Sequence, residues 1–238
     1  MESRGEFPLP MRSTEPRRDR GGAARLRQER GSHSGSPAMT AAPLAMATLL
    51  LGIAAAPIRK ADPATITLDP VHSVALFRIQ HLEAGLFWGR FKALEGTVKW
   101  TMEPTAAPVF DISAKIANAD TGSEKLDGNL QGPNFFNAKE FPTITFKSTG
   151  ATAAGDRHWM VKGDLTLHGV TKPVEVDCVA TGIGTGPAGT KVGFECNLTL
   201  KRSDFGMKWG IEKPAKALGD EVKLIIALEG DAVGGTTP

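Results

Sequence analysis

Apolar and polar residues alternate along most of the chain after residue 65, which is typical of β-strands with one buried face. In the stretch 71–82, for example, Phe77, Ile79 and His81 share one face. The same alternation recurs further along, so the pattern predicts eight strands. They span 71–82, 90–102, 109–118, 142–149, 157–167, 172–181, 190–202 and 221–230.

The connections between these predicted strands are mostly short and rich in turn-forming residues, as in 182–189. Short links favour antiparallel neighbours, because parallel neighbours need crossovers of about a dozen residues or more. The long exception is 119–141, where Ser123 and the spacing of Leu126 and Leu130 predict a short helix.

Eight antiparallel strands can pack as a two-sheet sandwich or close into a barrel. Closure removes exposed edges and leaves an interior that can hold one small or slender ligand. Periodicity does not choose between these arrangements. It predicts a single all-β domain of about 170 residues.

The chain before this domain has a different character. Residues 1–38 are rich in Arg, Gly, Ser and Pro, which predicts a disordered or untranslated extension. Residues 39–60 contain the apolar run 44–56, which predicts a secretory signal peptide, with a buried apolar helix as the alternative. We therefore expect a folded domain at 61–231 in an exported, oxidising compartment, followed by a flexible tail at 232–238.

Composition narrows the class of protein further. The chain has 238 residues, of which 41% are hydrophobic, and this excludes disorder throughout. From Ala61 onward there are 18 Lys and Arg against 21 Asp and Glu, so no basic surface suggests nucleic-acid binding. The apolar run is too short for the roughly 20 residues of a stable membrane span.

Seven short motifs occur in an order that resembles the YceI-like family of bacterial exported proteins. They are Asp69-Pro-Val-His-Ser73, Gly89-Arg-Phe91, Phe135-Phe136, Phe141-Pro-Thr-Ile-Thr-Phe-Lys-Ser148, Gly163-Asp-Leu-Thr-Leu-His-Gly-Val-Thr-Lys-Pro-Val174, Arg202-Ser-Asp-Phe-Gly206 and Gly219-Asp-Glu-Val222. The resemblance implies an all-β fold, an eight-stranded antiparallel lipocalin-like barrel with a short helix in the 119–141 connection. It also implies a periplasmic, non-catalytic protein that holds a polyisoprenoid in its lumen and serves in isoprenoid-quinone or prenyl-lipid handling.

Together with the two-residue period, the resemblance selects a set of inward residues as candidates for lining the lumen. The candidates are Phe77, Ile79, His81, Trp100, Ile144, Phe146, Phe194, Leu198, Val222 and Leu224. Ordinary core packing is the alternative for each of them, because period two does not separate a filled interior from one that is open to ligand.

A second set of candidates is expected at the barrel mouth. Phe135 and Phe136 lie in a loop and form either a lid that contacts ligand or a plug that closes the barrel end. Asp127 lies in the predicted helix. Arg202 and Asp204 are two residues apart, and they serve either as polar contacts at the barrel end or as a structural ion pair.

The stretch 126–132 departs from the family pattern. Relatives carry basic residues and a histidine there, whereas this chain has Leu126, Asn129 and Gln131. If those cations bind a head group in relatives, their loss favours a neutral quinone over a pyrophosphate, unless Lys125 or Arg202 compensates.

Cys178 and Cys196 lie on adjacent predicted strands and come nearly opposite each other on one face. In an oxidising compartment they form either a disulfide or two small buried thiols. The histidines of the domain show no local metal-ligand spacing, so no metal site is expected.

No catalytic motif stands out, and we expect a binding protein without a cofactor, whose partner is an isoprenoid lipid or quinone. Two alternatives remain, an enzyme that acts on a hydrophobic substrate in the barrel and an interaction module with a filled barrel. The sequence also leaves a homodimer open.

Overall fold

A computed structural model describes residues 61–212 and 216–234. The predicted extension and signal peptide lie outside these residues. The described chain forms eleven strand segments and one α-helix, together with two short 3-10 helices (Ile116–Asn118 and Arg202–Phe205). The segments are β1 (Ala64–Leu68), β2 (Val74–His81), β3 (Gly85–Lys92), β4 (Glu95–Trp100), β5 (Val109–Lys115), β6 (Ala119–Asp120), α1 (Glu124–Gln131), β7 (Thr143–Gly155), β8 (His158–Leu167), β9 (Val170–Gly186), β10 (Gly189–Lys201) and β11 (Leu218–Val233).

The sheet closes on itself because β1 pairs with β4 on one side and with β11 on the other. β1 and β2 both pair with β11, along successive parts of its length, and therefore act as one interrupted strand. β3 with β4, and β5 with β6, continue each other in the same way. The result is a closed, eight-stranded, antiparallel barrel with one helix, which confirms the predicted fold class.

The predicted strand boundaries differ from the observed ones where a strand is interrupted. The predicted strand 71–82 begins too early, because 69–73 is a break between β1 and β2, and β1 itself was not predicted. The start of β3 was also missed, since Leu86, Phe87 and Trp88 are consecutive apolar residues that hide the alternation.

Elsewhere the strands are longer than predicted. β7 continues to Gly155 and β9 to Gly186, through small residues that had been assigned to connections. β11 continues to Val233, two residues into the predicted tail. Pairing with a long neighbouring strand supplies the backbone hydrogen bonds that local composition does not favour.

α1 begins after Ser123 and ends at Gly132, which confirms the predicted helix. β6 pairs only with Arg90 and Phe91, so within the described chain the rest of β3 has no strand beside it on that side. Phe136 from the loop that follows α1 packs edge-on against Phe91, with ring centroids 5.4 Å apart. Within the described residues, no helix is long and apolar enough to cross a bilayer.

One end of the barrel is filled by four large aromatic residues, which we call the aromatic plug. Trp100 contacts Trp159 and Phe194 with ring centroids 5.6 and 5.5 Å apart, and Phe194 contacts Phe110 at 5.4 Å. All four are buried, and the Trp100 Nε1–H donates a hydrogen bond of 2.7 Å to the carbonyl oxygen of Ala106. This end of the barrel is therefore a packed core.

Candidate functional site: a blind apolar cavity

Above the aromatic plug the barrel is open. It contains a cavity of about 700 Å³, lined by side chains from the barrel strands, α1, and the loops at the end opposite the plug. Phe110 is the plug residue that reaches the cavity, so the space ends there. The cavity is therefore blind, that is, closed at the plug end. The barrel is not filled throughout by its own side chains.

Eight of the ten predicted lumen residues line this cavity. They are Phe77, Ile79, His81, Ile144, Phe146, Leu198, Val222 and Leu224. Trp100 and Phe194 do not line it and are a correction, because they belong to the aromatic plug below. Both face inward as predicted, but at a depth where residues from opposite walls meet and fill the barrel.

Two glycines let lumen phenyl rings lie close to the barrel wall. Gly89 faces Phe77 across the β2–β3 pair, and a Cβ at Gly89 would collide with that ring. A Cβ at Gly163 would come within 2.5 Å of two ring carbons of Phe146. Because these positions carry no side chain, the rings do not project further into the cavity.

The loop after α1 supplies part of the cavity wall. Phe135 and Phe136 both line the cavity. Phe136 packs on Phe91 of β3, whereas Phe135 contacts Trp209 with ring centroids 5.2 Å apart. Together these contacts join the loop to both sides of the opening.

Two predicted mouth residues lie outside the cavity lining. Asp127 accepts hydrogen bonds from the Thr121 main-chain N–H at 2.8 Å and from its hydroxyl at 2.7 Å, and so fastens α1 to the chain before it. Asp204 is exposed, with a carboxylate oxygen 3.7 Å from Lys172 Nζ. Neither side chain lines the cavity, since both are directed to other partners.

Arg202 lines the cavity but is committed to the main chain. It does not pair with Asp204, because both lie in a 3-10 helix rather than on one strand face. It is 4% exposed, and its guanidinium donates hydrogen bonds to four carbonyl oxygens. The acceptors are Gly219 at 2.8 Å, Met207 at 3.1 Å, Trp209 at 2.7 Å and Leu218 at 3.4 Å.

Burial lowers the pKa of Arg202, and the negative charge of Asp220 opposes that shift. Asp220 itself accepts hydrogen bonds from the Ser203 main-chain N–H and hydroxyl, at 2.9 and 2.8 Å. The arginine therefore holds the 207–209 segment against the start of β11. Among the described residues it is the one charged side chain in the lining.

Neutral polar groups complete the lining. Ser113, Thr121, Asn129 and Asn134 contribute to it, and exposed His81 lies at the end of β2. The hydroxyl and amide groups among them can donate or accept hydrogen bonds and carry no charge. The site therefore combines a deep apolar interior with a small number of neutral polar groups.

Cys178 and Cys196 are directly opposite each other in the β9–β10 pair, with Cα atoms 4.2 Å apart, and the structure joins them in a disulfide. Both are buried and face the cavity. The bond lies on the inner face of the wall.

Among the described histidines, the one with the most charged side chains around it lies outside the cavity. His72 Nδ1 is 2.7 Å from Asp69 and 3.9 Å from Glu229, and the three side chains offer ligand atoms within 4.8 Å of one another. Lys191 Nζ contacts the same carboxylates at 3.3 and 3.8 Å and Asp231 at 3.1 Å. An ammonium group thus already pairs with the carboxylates of this cluster.

Hydrogen bonding within the cluster shifts two pKa values in opposite directions. The hydrogen bond with His72 lowers the pKa of Asp69, and the same bond raises the pKa of His72.

Some lining residues were not among the sequence candidates. Met207 and Trp209 lie in an irregular segment, where no period identifies an inward face. Ile112 and Ala114 follow the alternation of β5, and the period that selected the other candidates could have found them.

Comparisons with known proteins agree with this architecture. The family model described as the YceI-like domain matches residues 66–230. A UPF0312 protein of Azotobacter vinelandii is 33% identical over 192 residues, covering 80% of this chain and 96% of the relative. Protein YceI of Escherichia coli O157:H7 is 35% identical over 160 residues, which cover 67% of this chain and 81% of the relative.

Solved structures with similar folds include BcnA of Burkholderia cenocepacia, with a TM-score of 0.61 and 25% identity over 69% of this chain and 99% of that one. The YceI protein of Campylobacter jejuni gives a TM-score of 0.56 and 27% identity over 67% and 90%. A polyisoprenoid binding domain from Saccharophagus degradans gives 0.53 at 17% identity over 71% and 98%, a likeness of fold alone. The family match over most of the chain and the close relatives show that this chain belongs to the YceI-like family.

Proposed function

We propose that this protein binds an isoprenoid lipid in its barrel cavity, without changing it chemically, for transport or storage in the periplasm. The observation that carries the proposal is the blind, apolar cavity of about 700 Å³, whose one charged lining residue among those described is engaged by main-chain carbonyls. Such a space suits a long apolar chain, because it offers apolar contact along its depth.

Transfer of the tail from water can supply the affinity. Burial of one CH₂ group contributes roughly 0.8 kcal/mol, so a five-carbon isoprene unit contributes about 3–4 kcal/mol. Two or three buried units reach about micromolar affinity, even after the cost of immobilising the ligand. Polar groups at the mouth then need only to orient the head.

The lining favours a neutral head group such as a quinone. A pyrophosphate requires cations with free N–H donors, and Arg202 already donates four hydrogen bonds to the chain. Ser113, Asn129 and Asn134 instead offer neutral donors and acceptors to carbonyl or hydroxyl oxygens.

Two further observations support the ligand class and the compartment. The Saccharophagus degradans domain of the same fold is described as polyisoprenoid binding. A Cys178–Cys196 disulfide would be stable in an oxidising compartment, which fits export by a signal peptide in 39–60.

The proposal is tested directly by purifying the protein from its own host and extracting any bound lipid from it. Organic solvent should release a prenyl lipid in stoichiometric amount, which mass spectrometry identifies. Purified protein freed of lipid should bind geranylgeraniol and a short-tailed prenyl quinone more tightly than geranylgeranyl pyrophosphate. Release of no lipid, together with failure to bind either neutral probe, would contradict the proposal, and conversion of a probe into a product would favour an enzyme.

A pair of adjacent substitutions separates cavity binding from surface adsorption. Leu198 lines the cavity, whereas its neighbour Thr199 is exposed on the outer face. Leu198→Glu should abolish binding of the neutral probes, because it places a carboxylate in the apolar interior. Thr199→Glu adds the same charge outside and should leave binding unchanged, and circular dichroism checks that both variants fold.

A further inference from the structure

Large apolar side chains are exposed at the cavity opening and on the β2–β3 hairpin beside it. They come from the β2–β3 hairpin, from α1 and from the segment after the second 3-10 helix, and each is 40% to 60% exposed. These residues, which we call the apolar rim, are Leu82, Leu86, Trp88, Leu126 and Trp209. Exposed apolar side chains that cluster together mark interaction surfaces.

The apolar rim is continuous with the cavity opening. Leu126 and Trp209 line the cavity and are also exposed to solvent. The Leu82 main-chain N–H donates a hydrogen bond of 2.9 Å to the carbonyl oxygen of Ala217, and Ala217 lines the cavity as well. The tip of the β2–β3 hairpin therefore lies beside the opening.

The leucine at the hairpin tip has a backbone conformation that is unfavourable for leucine. Leu82 and Glu83 have φ angles of 52° and 55°, in the left-handed region where Asn, Asp or Gly is the usual residue of a hairpin turn. An exposed leucine in this conformation contributes little to folding and points to a functional use of its side chain. The charge of Glu83 is neutralised by an ion pair with Lys216.

The outer face of the hairpin continues the apolar surface. Phe87 faces the cavity, so its neighbours Leu86 and Trp88 face outward. The Arg78 guanidinium carbon lies 5.7 Å from the centroid of the Trp88 ring. An exposed tryptophan beside an arginine is typical of side chains at a membrane surface, where the ring meets the acyl boundary and the cation meets head groups.

We infer that the apolar rim docks on the surface of a lipid bilayer, with the cavity opening towards the membrane. The inference rests on the proposed function, since the ligand must come from or pass to a membrane. Any occupant of the rim also covers the opening, because Leu126 and Trp209 belong to both. A second copy of this chain docked through the same rim would close the opening, whereas a bilayer covers the rim and also offers an apolar medium into which an isoprenoid tail can pass.

Vesicle flotation tests the docking surface with lipid-free protein. Vesicles of phosphatidylcholine, with and without added phosphatidylglycerol, should carry the protein upward in a density gradient. Brominated phosphatidylcholine should quench its tryptophan fluorescence. Of the four tryptophans in the chain, Trp100 and Trp159 are buried in the aromatic plug, so quenching reports on Trp88 and Trp209.

Leu82→Asp is the decisive variant, because aspartate tolerates the left-handed backbone and the fold should be kept. It should lower vesicle affinity about tenfold or more, since it replaces an inserted apolar side chain by a charge. Val109 is 53% exposed and lies beside Phe110, at the plug end of the barrel. Val109→Asp is therefore the matched control, and it should bind vesicles like the wild type.

Binding of geranylgeraniol from solution separates this inference from the proposed function. Leu82→Asp should keep that binding within about twofold, because Leu82 lies outside the cavity lining. Wild-type protein that binds geranylgeraniol but no vesicle would overturn the docking inference alone. A Leu82→Asp variant that floats like the wild type would also overturn it. So would a variant whose molar mass in light scattering is lower than that of the wild type, because the rim would then hold two copies of the chain together. Docking without binding of any prenyl probe would contradict the proposed function instead.

Discussion

Phe146 in β7 lies with its ring over Gly163 in β8, so close that a Cβ at residue 163 would stand 2.5 Å from ring atoms Cε2 and Cζ. The ring is one side of the cavity, and the glycine is what allows it to lie flat on the wall. A small residue at the wall thus sets the width of the space inside.

Gly163→Ala should therefore narrow the cavity. The methyl group would collide with the Phe146 ring and also with the main-chain oxygen of Lys147, 2.6 Å away, so the ring must move inward and the β7–β8 pair must shift. We expect affinity for geranylgeraniol to fall about tenfold, with a loss of about 1–3 kcal/mol or more in unfolding free energy. Ligand titration and urea unfolding measure the two effects. Gly150→Ala is the matched control in the same strand pair, because open space surrounds that position. Equal affinity in the two variants would contradict this role of Gly163.

Truncation of the aromatic plug should cost more stability than truncation of the cavity wall. Phe194→Ala removes a buried ring from a packed cluster, and we expect a loss of about 3–5 kcal/mol. Ile144 borders space that is already empty, so Ile144→Ala should lower the unfolding free energy by less, about 1–2 kcal/mol. Urea unfolding compares them. Similar losses would mean that the cavity is filled in solution by rearranged side chains.

Arg202→Met should destabilise the fold by about 2–4 kcal/mol, because it leaves four main-chain carbonyl oxygens without their charged donor. The adjacent Lys201 is exposed, and Lys201→Met should change stability by less than about 0.5 kcal/mol. Thermal unfolding measures both. An Arg202→Met variant of normal stability that no longer binds ligand would assign the arginine to the head group instead.

Acid should destabilise the protein in part through Asp120. Hydrogen bonds from Arg90 are the main cause that lowers the pKa of this carboxyl to about 2. A group whose pKa is lower in the folded state stabilises the fold above its unfolded value of about 3.9, and that contribution is lost as the pH falls towards the folded value. Unfolding by urea at several pH values between these limits should show a shallower decline for Asp120→Asn than for the wild type. Parallel curves would contradict the assignment.

Reduction of Cys178–Cys196 should weaken the fold. The bond spans a sequence separation of 18 residues, for which the loss of chain entropy in the unfolded state corresponds to about 3 kcal/mol. Unfolding with and without reductant measures the difference, and the Cys178→Ala, Cys196→Ala double variant should not respond to reductant. Two thiols that can be alkylated in protein purified from its own host would show that the bond does not form.

The sequence predicts the barrel best where strands are long and unbroken. In β8, β10 and β11 the inward residues alternate over many positions, and these strands were placed within a few residues. The break at 69–73 and the turn at Leu82 were not predicted, because neither carries the glycine pattern of a tight turn. Pairing with neighbouring strands, which is a long-range effect, decides both.

The alternation of apolar and polar residues also predicts which side chains face inward, but not how deep in the barrel they lie. Phe77 and Phe194 both face inward, but Phe77 lines the cavity whereas Phe194 closes its end. Their difference depends on which residues meet from the opposite wall, and this follows from the register of the closed barrel. For the same reason, Arg202 was recognised as important while its four carbonyl partners were not.

The aromatic plug gives the barrel a single way in and out. A ligand with an apolar tail and a polar head group must then enter tail first, and its head group stays at the opening. A quinone held in this manner would keep its redox-active ring within reach of other molecules while the rest of it remained dry.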